Sequence, residues 1–394
     1  MSAKTPGTPL GELVTYFLRL GADRSCVPCR PVQVEGEQSA PDRGDSDCRP
    51  HRFATAAADR GDGEMIQMSL CLAVLAGVAL MTIPAAAQPA DAPLQLEGKI
   101  PLGAVRGRID HMAIDNARHR LFVAELGNGS VSVVDLEARK VVHRLEGMRE
   151  PQGIAYLPGS DTLVVANGGD GSARLFHGPD YAATGRIELG DDADNVRLDA
   201  TRGRVIVGYG GGALAIVDPA TRNRIANIPL PAHPESFQLD AASNRIYVNV
   251  PTRRAVVVVD REAAKQVASW PMNSGLANFP MALDAEAARV LVVYRYPPRL
   301  AAYAMQDGTF AGSAGSCGDA DDLFLDGKRH RIYVSCGEGA IDVIDAQTYQ
   351  PVARLPTVSG ARTSYFAPEL DLFMLAVRAA GREPAAIWLY RPTP

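Results

Sequence analysis

Arg331-Ile-Tyr-Val334 and Arg245-Ile-Tyr-Val248 are two copies of one short apolar segment, and its recurrence decides the fold. Variants stand at Arg120-Leu-Phe-Val123, Arg204-Val-Ile-Val207 and Arg289-Val-Leu-Val292, with looser copies at Thr162-Leu-Val-Val165 and Leu372-Phe-Met-Leu375. The segment returns about every 42 residues. A repeat of that period, rich in β-branched and aromatic residues, marks radial repetition of a small sheet.

Working outward, each copy follows a shorter strand that ends in an apolar residue and usually Asp: Ile114-Asp115, Tyr156-Leu157, Leu198-Asp199, Leu239-Asp240, Leu283-Asp284, Leu325-Asp326 and Phe366-Ala367. After each copy come turn residues such as Gly127-Asn-Gly129, Asp170-Gly171, Gly210-Gly-Gly212 or Glu338-Gly339, which supply positive φ cheaply. A third strand ends at Asp135, Asp218, Asp260 or Asp345, where Asp caps the next turn. A fourth is short, as in Val141–Leu145 and Val352–Leu355. Four antiparallel strands per unit and seven units make an all-β, seven-bladed β-propeller over residues 88–394. The last unit stops after its third strand, Ala386–Tyr390. The stretch Leu94–Leu102 is expected to supply its fourth strand, which removes the open sheet edges.

Arg245-Ile-Tyr-Val-Asn249 and Arg331-Ile-Tyr-Val-Ser335 resemble the signature of the YVTN-repeat β-propellers, the YncE-like group of exported bacterial proteins. The resemblance covers Leu94 to Pro394, although no copy is a full Y-V-T-N. It implies a periplasmic seven-bladed propeller and hands over no catalytic residues. A Trp-Asp pair is absent, which speaks against WD40.

The net charge of -5 over 394 residues is mild, and no basic run or aromatic-basic platform occurs, so nucleic acid is not an expected partner. Residues 1–64 lack strand alternation. They precede Met65-Ile-Gln-Met68, an apolar run from Leu70 to Pro84, and Ala85-Ala-Ala87, which together read as a Sec-type signal peptide over 65–87. Residues 1–64 are therefore read as an upstream extension, with Met65 or Met68 the start. Cys26, Cys29, Cys48 and His51 imitate a zinc pattern, but no apolar periodicity flanks them to build a knuckle. After signal removal the protein is expected to be periplasmic or secreted, without a membrane span, and monomeric. Two cysteines remain there, Cys317 and Cys336. Antiparallel neighbours place them side by side, and an exported compartment permits a disulfide.

Aligning the units gives two columns of residues leading into the first strands. One is Asp110, Gln152, Asp194, Glu235, Phe279, Asp321 and Arg362; the next is His111, Gly153, Asn195, Ser236, Pro280, Asp322 and Thr363. Asp192-Ala-Asp194-Asn195 and Asp319-Ala-Asp321-Asp322 are matching loops three blades apart, hence nearly opposite on the ring. Carboxylates converging on one opening repel unless a cation or Arg362 compensates. Oxygen ligands suit a hard ion such as Ca2+, and Asp194, Asn195, Glu235, Asp321 and Asp322 would be its ligands. The plainer reading is that these residues cap turns. His111 is a candidate general base or a hydrogen-bonding surface residue.

Two main functions follow. One is a binding or scaffold propeller that takes a protein, peptide or small ligand at the channel face through Asp110, His111, Gln152, Asp194, Asn195, Glu235, Asp321, Asp322 and Arg362. The other is a metal-dependent hydrolase or lyase of the lactonase-like kind. A redox sensor built on Cys317 and Cys336 is a third. Neither G-x-S-x-G nor H-E-x-x-H occurs, and Gly208-Tyr-Gly-Gly-Gly212 lies between strands rather than ahead of a helix. The segment Tyr294-Arg295-Tyr296-Pro-Pro298 replaces the usual turn of the fifth unit, as a projecting contact loop or as packing.

Overall fold

The computed structural model describes residues 91–394. The readings placed on 1–64 and 65–87, with Cys26, Cys29, Cys48 and His51, lie outside these described residues. Within them the chain forms seven four-stranded antiparallel sheets. The first strand of each sheet touches those of its neighbours, which closes a seven-bladed propeller. From the channel outward, blade one is Met112–Asp115, Arg120–Glu125, Ser130–Asp135 and Lys140–Leu145. Blade seven is Thr363–Ala367, Leu372–Val377 and Ala385–Pro392, completed by Leu94–Gly103 from the other end of the domain. Leu94 pairs with Pro392 and Ile100 with Ile387, so the expected closure is present.

The recurring segment forms the second strand of each blade, and its apolar residues alternate between two interfaces. In blade one, Leu121 and Val123 face blade seven, while Phe122 and Ala124 face blade two. Seven apolar clusters result, one between each pair of adjacent blades. Phe122 packs against Tyr156 and Tyr181 of blade two at ring distances of 5.4 and 5.7 Å. Burying each such side chain stabilises the ring by about 1.5–3 kcal/mol. The strand-terminal Asp residues cap turns as expected: Asp135 accepts from Ala138 N–H, and Asp345 from Gln347 and Thr348 N–H.

Every outer strand carries a bulge at the same place. Val142, Thr184, Ile225, Val267, Ala311 and Val352 each sit out of the ladder, as does Glu97 in blade seven. The bulge twists the strand, which blunts the exposed edge against pairing with another chain. The disulfide Cys317–Cys336 is formed, with Cα atoms 5.8 Å apart and both residues fully buried. It ties the approach to the first strand of blade six to the end of the second. Among the described residues no helix is long and apolar enough to cross a membrane.

Candidate functional site

The same pair of backbone bonds holds the two columns in three blades. Asp110 N–H donates to Ala124 O, and Ala124 N–H returns to His111 O. Asp194 and Asn195 repeat this with Gly208, and Glu235 and Ser236 with Asn249. These bonds fix the backbone just ahead of each first strand and aim the columns at the channel mouth. Gly153 breaks the second column for a steric reason: a Cβ there would lie 2.1 Å from the backbone oxygen of Asp194.

His111 stands at the hub of this mouth. Its Nε2 is 3.7 Å from Asp110 Oδ1 and 3.9 Å from Asp194 Oδ1, and its Nδ1 is 4.0 Å from Asp322 Oδ1. One imidazole therefore joins blades one, three and six. Burial works against its protonation, but the carboxylates of Asp110, Asp322 and Asp194 outweigh burial and raise its pKa. Asp322 also accepts from Ser364 N–H at 2.7 Å and so ties blade six to blade seven. Burial, against the pull of His111, pushes the Asp322 carboxyl up to about 6.

Blades five to seven and one form an arginine-carboxylate lattice. Arg295 donates from Nη2 to Asp321 Oδ1 at 2.5 Å and from Nε to Ala320 O at 2.9 Å. Its guanidinium lies 4.0 Å above the Phe279 ring. Arg362 reaches Asp319 at 2.8 Å and Asp321 at 3.0 Å. Burial would raise the Asp321 pKa, yet Arg362 and Arg295 hold it below the ordinary carboxylate value. Arg108 donates to Asp110 at 2.7 Å.

Blades two to four are acidic and less completely paired. Asp194 Oδ1 and Asn195 Oδ1 are buried acceptors with no hydrogen-bond donor among the described residues. An unmet buried acceptor costs roughly 1–3 kcal/mol. Burial first, then the charge of Asp194, pushes the Glu235 carboxyl up to about 8, with His233 opposing. His233 donates from Nδ1 to Gly210 O, 2.6 Å away, and its Nε2 lies 3.9 Å from Asp194 Oδ2. Burial lowers the His233 pKa, but Asp194, the Gly210 carbonyl and Glu235 together push it up to about 9. Gln152 bridges to Asp192 at 3.4 Å.

The aligned columns thus meet around one opening, but with more arginine than expected. Arg362 compensates Asp321 as its position suggests, and Arg295 adds to it from blade five. Arg295 comes from the aromatic segment of blade five, which is not a loop. Arg289–Tyr296 and Pro298–Ala304 run on as paired strands to a tight turn, with Tyr294 buried and Tyr296 exposed. Capping describes Asp110 and Asp322 in part, since each accepts a backbone N–H; Asp194 Oδ1 and Asn195 Oδ1 accept none.

Arg108, Arg197, His233 and Arg295 are site residues outside the two columns. Arg197 was readable from the pleat, because residues two apart share a strand face and it lies two beyond Asn195. Its Nη2 donates to Ser236 Oγ at 3.4 Å, and its charge reaches Asp322, Tyr365 and Asp194.

As ligands for a cation, the residues fit incompletely. Asp194 and Asn195 offer donor-free oxygens, but Asp321 is engaged by two arginines. The described residues bring together no group of three or more His, Cys, Asp and Glu side chains able to hold a metal ion. No protein-family model matches the chain, and no curated protein matches it in sequence.

Proposed function

We propose that this chain is an exported, YVTN-type propeller that binds a small polar ligand at the channel mouth. The observation that carries this reading is the pair of donor-free buried oxygens, Asp194 Oδ1 and Asn195 Oδ1, beside His111 and Glu235. A ligand that brings hydrogen-bond donors or positive charge to them removes the desolvation penalty and relieves the repulsion that raises Glu235. Paired backbone bonds just ahead of the first strands hold these groups in place before the ligand arrives, which lowers the entropy cost of binding. Export is supported by the sequence of 65–87 and by the buried disulfide, a bond that persists in oxidising compartments.

A thermal-shift screen of small amines, amides and divalent cations on the wild type and on Asn195→Ala tests this reading. A binding compound raises the wild-type melting temperature and leaves the variant unmoved. A shift of equal size in both places the ligand elsewhere.

A second reading, a hydrolase or lyase, draws on the divergence of two carboxyls in one opening. Glu235 is pushed up to about 8 while Asp321 is held low, the separation that acid-base chemistry uses. A divalent cation such as Ca2+ would supply Lewis acidity next to Asp194 and Asn195. The incomplete ligand set keeps this reading second. Stoichiometric metal in the purified protein, and stabilisation by added Ca2+, would favour it.

A further inference from the structure

Across the mouth from Asp194 and Asn195 lies a second charge centre with an unused member. Arg378 follows the second strand of blade seven and is half-buried. Its Nη1 lies 4.0 Å from where a Cβ on Gly360 would be, so its guanidinium rests over the loop that leads to Arg362. The charges of Arg362, Arg108, Asp321 and Asp110 all reach it. Arg362 is tied to Asp319 and Asp321, and Arg108 to Asp110. Arg378 makes no ion pair or hydrogen bond among the described residues. Burial, and after it the like charges of Arg362 and Arg108, lower its pKa. A guanidinium presents a planar fork of donors that matches a carboxylate or phosphate, and one held among like charges gains from an anion beside it.

A series of short contacts links the two sides of the mouth. Arg108 is 2.7 Å from Asp110, Asp110 is 3.7 Å from His111, and His111 is 3.9 Å from Asp194. One carboxylate and one imidazole are all that separate the basic side from the donor-free oxygens.

We propose that Arg378, flanked by Arg108 and Arg362, seats the anionic group of the channel-mouth ligand. The ligand is then a small amphoteric molecule, with a donating or cationic end at Asp194 and Asn195 and a carboxylate or phosphate at Arg378. This inference rests on the ligand-binding reading above and adds the ligand's chemical class. Arg362 and Arg108 are already engaged by carboxylates, so Arg378 supplies the charge that the anion neutralises.

The test is calorimetric titration of the full chain with acetate and, separately, with inorganic phosphate at low ionic strength. The proteins are the wild type, Arg378→Ala, Arg378→Lys and, as a control, Val267→Ser. At least one anion should bind the wild type at a single site. Arg378→Ala should weaken that binding by about tenfold or more, and Arg378→Lys should restore part of it. Val267→Ser, on an exposed outer strand away from the mouth, should leave anion affinity within about twofold. Tighter phosphate names a phosphoryl ligand, and tighter acetate a carboxylate. Circular dichroism melts of each variant establish that it is folded. No binding of either anion to the wild type, or equal binding to folded Arg378→Ala, overturns the anion seat. Such a failure leaves the donor-end screen with Asn195→Ala free to succeed, so the two readings fail separately.

Discussion

Nε2 of His111 in blade one stands 3.9 Å from Oδ1 of Asp194 in blade three, and that oxygen accepts no hydrogen bond among the described residues. A carboxylate that approaches an imidazole without bonding to it is positioned but not satisfied. The same imidazole lies 4.0 Å from Asp322 of blade six on its other side. His111 therefore acts as a spacer that keeps opposed acids apart while sharing its charge with both. The space beside Asp194 is where a donor from outside the protein gains most.

Stability should fall as pH rises, because of the groups around this opening. Glu235 has a folded pKa of about 8 against an ordinary value of 4.5. The folded state therefore holds the Glu235 proton between those values while the unfolded chain releases it. The stabilisation is complete below about pH 4.5 and is lost as pH climbs to about 8. His233, pushed up to about 9 from 6.5, has the same sign over a higher window. Glu235→Gln removes the first contribution. Chemical denaturation at pH 8.5 should find the variant more stable than the wild type by up to about 5 kcal/mol, with little difference at pH 4.5. Parallel pH profiles for the two proteins would refute the assignment.

Arg295 holds Asp321 from the far end of a long side chain, with Arg362 on the other oxygen. Truncating Arg295 leaves a mostly buried carboxylate half-compensated. Arg295→Ala should cost about 2 kcal/mol in denaturant unfolding, less than the cost of breaking a wholly buried pair because Arg362 remains. Asp321→Asn added to Arg295→Ala should recover part of the loss. Arg295→Lys should recover little, since lysine lacks the planar fork and stacks poorly on Phe279. Full stability of Arg295→Ala would show that Arg362 alone suffices.

The Cys317–Cys336 bond closes a loop of 19 residues in sequence separation. A loop of this size is stabilised by about 3 kcal/mol, chiefly through the unfolded state. The double variant Cys317→Ala/Cys336→Ala should lose about that much, measured without reductant, while keeping the wild-type circular dichroism spectrum. Adding reductant to the folded wild type should change little, because both sulfurs are fully buried. Equal stability of the double variant and the oxidised wild type would remove the structural role.

The fold was legible because its determinants are local and repeated. Arg245-Ile-Tyr-Val248 alternates across a pleat, Asp260 caps its turn, and the count of outer strands left one place for Leu94–Gly103. The two columns were legible for the same reason, since alignment fixes where a backbone enters the channel. It does not fix where a long side chain ends. Arg295 starts on a second strand of blade five and finishes on Asp321 of blade six; Arg378 starts after a second strand of blade seven and finishes over Gly360. His233 lies two residues before its column in a loop whose course the repeat does not set. The acidic column was therefore visible in sequence, whereas most of its neutralising arginines were not.

The central claim is that the mouth around Asp194 and Asn195 holds a small ligand, and native mass spectrometry of the full chain purified from its own host tests it most directly. The expected result is a small molecule or ion bound at one per chain in the wild type and absent from Asn195→Ala. Bare-polypeptide mass for both proteins would contradict the claim.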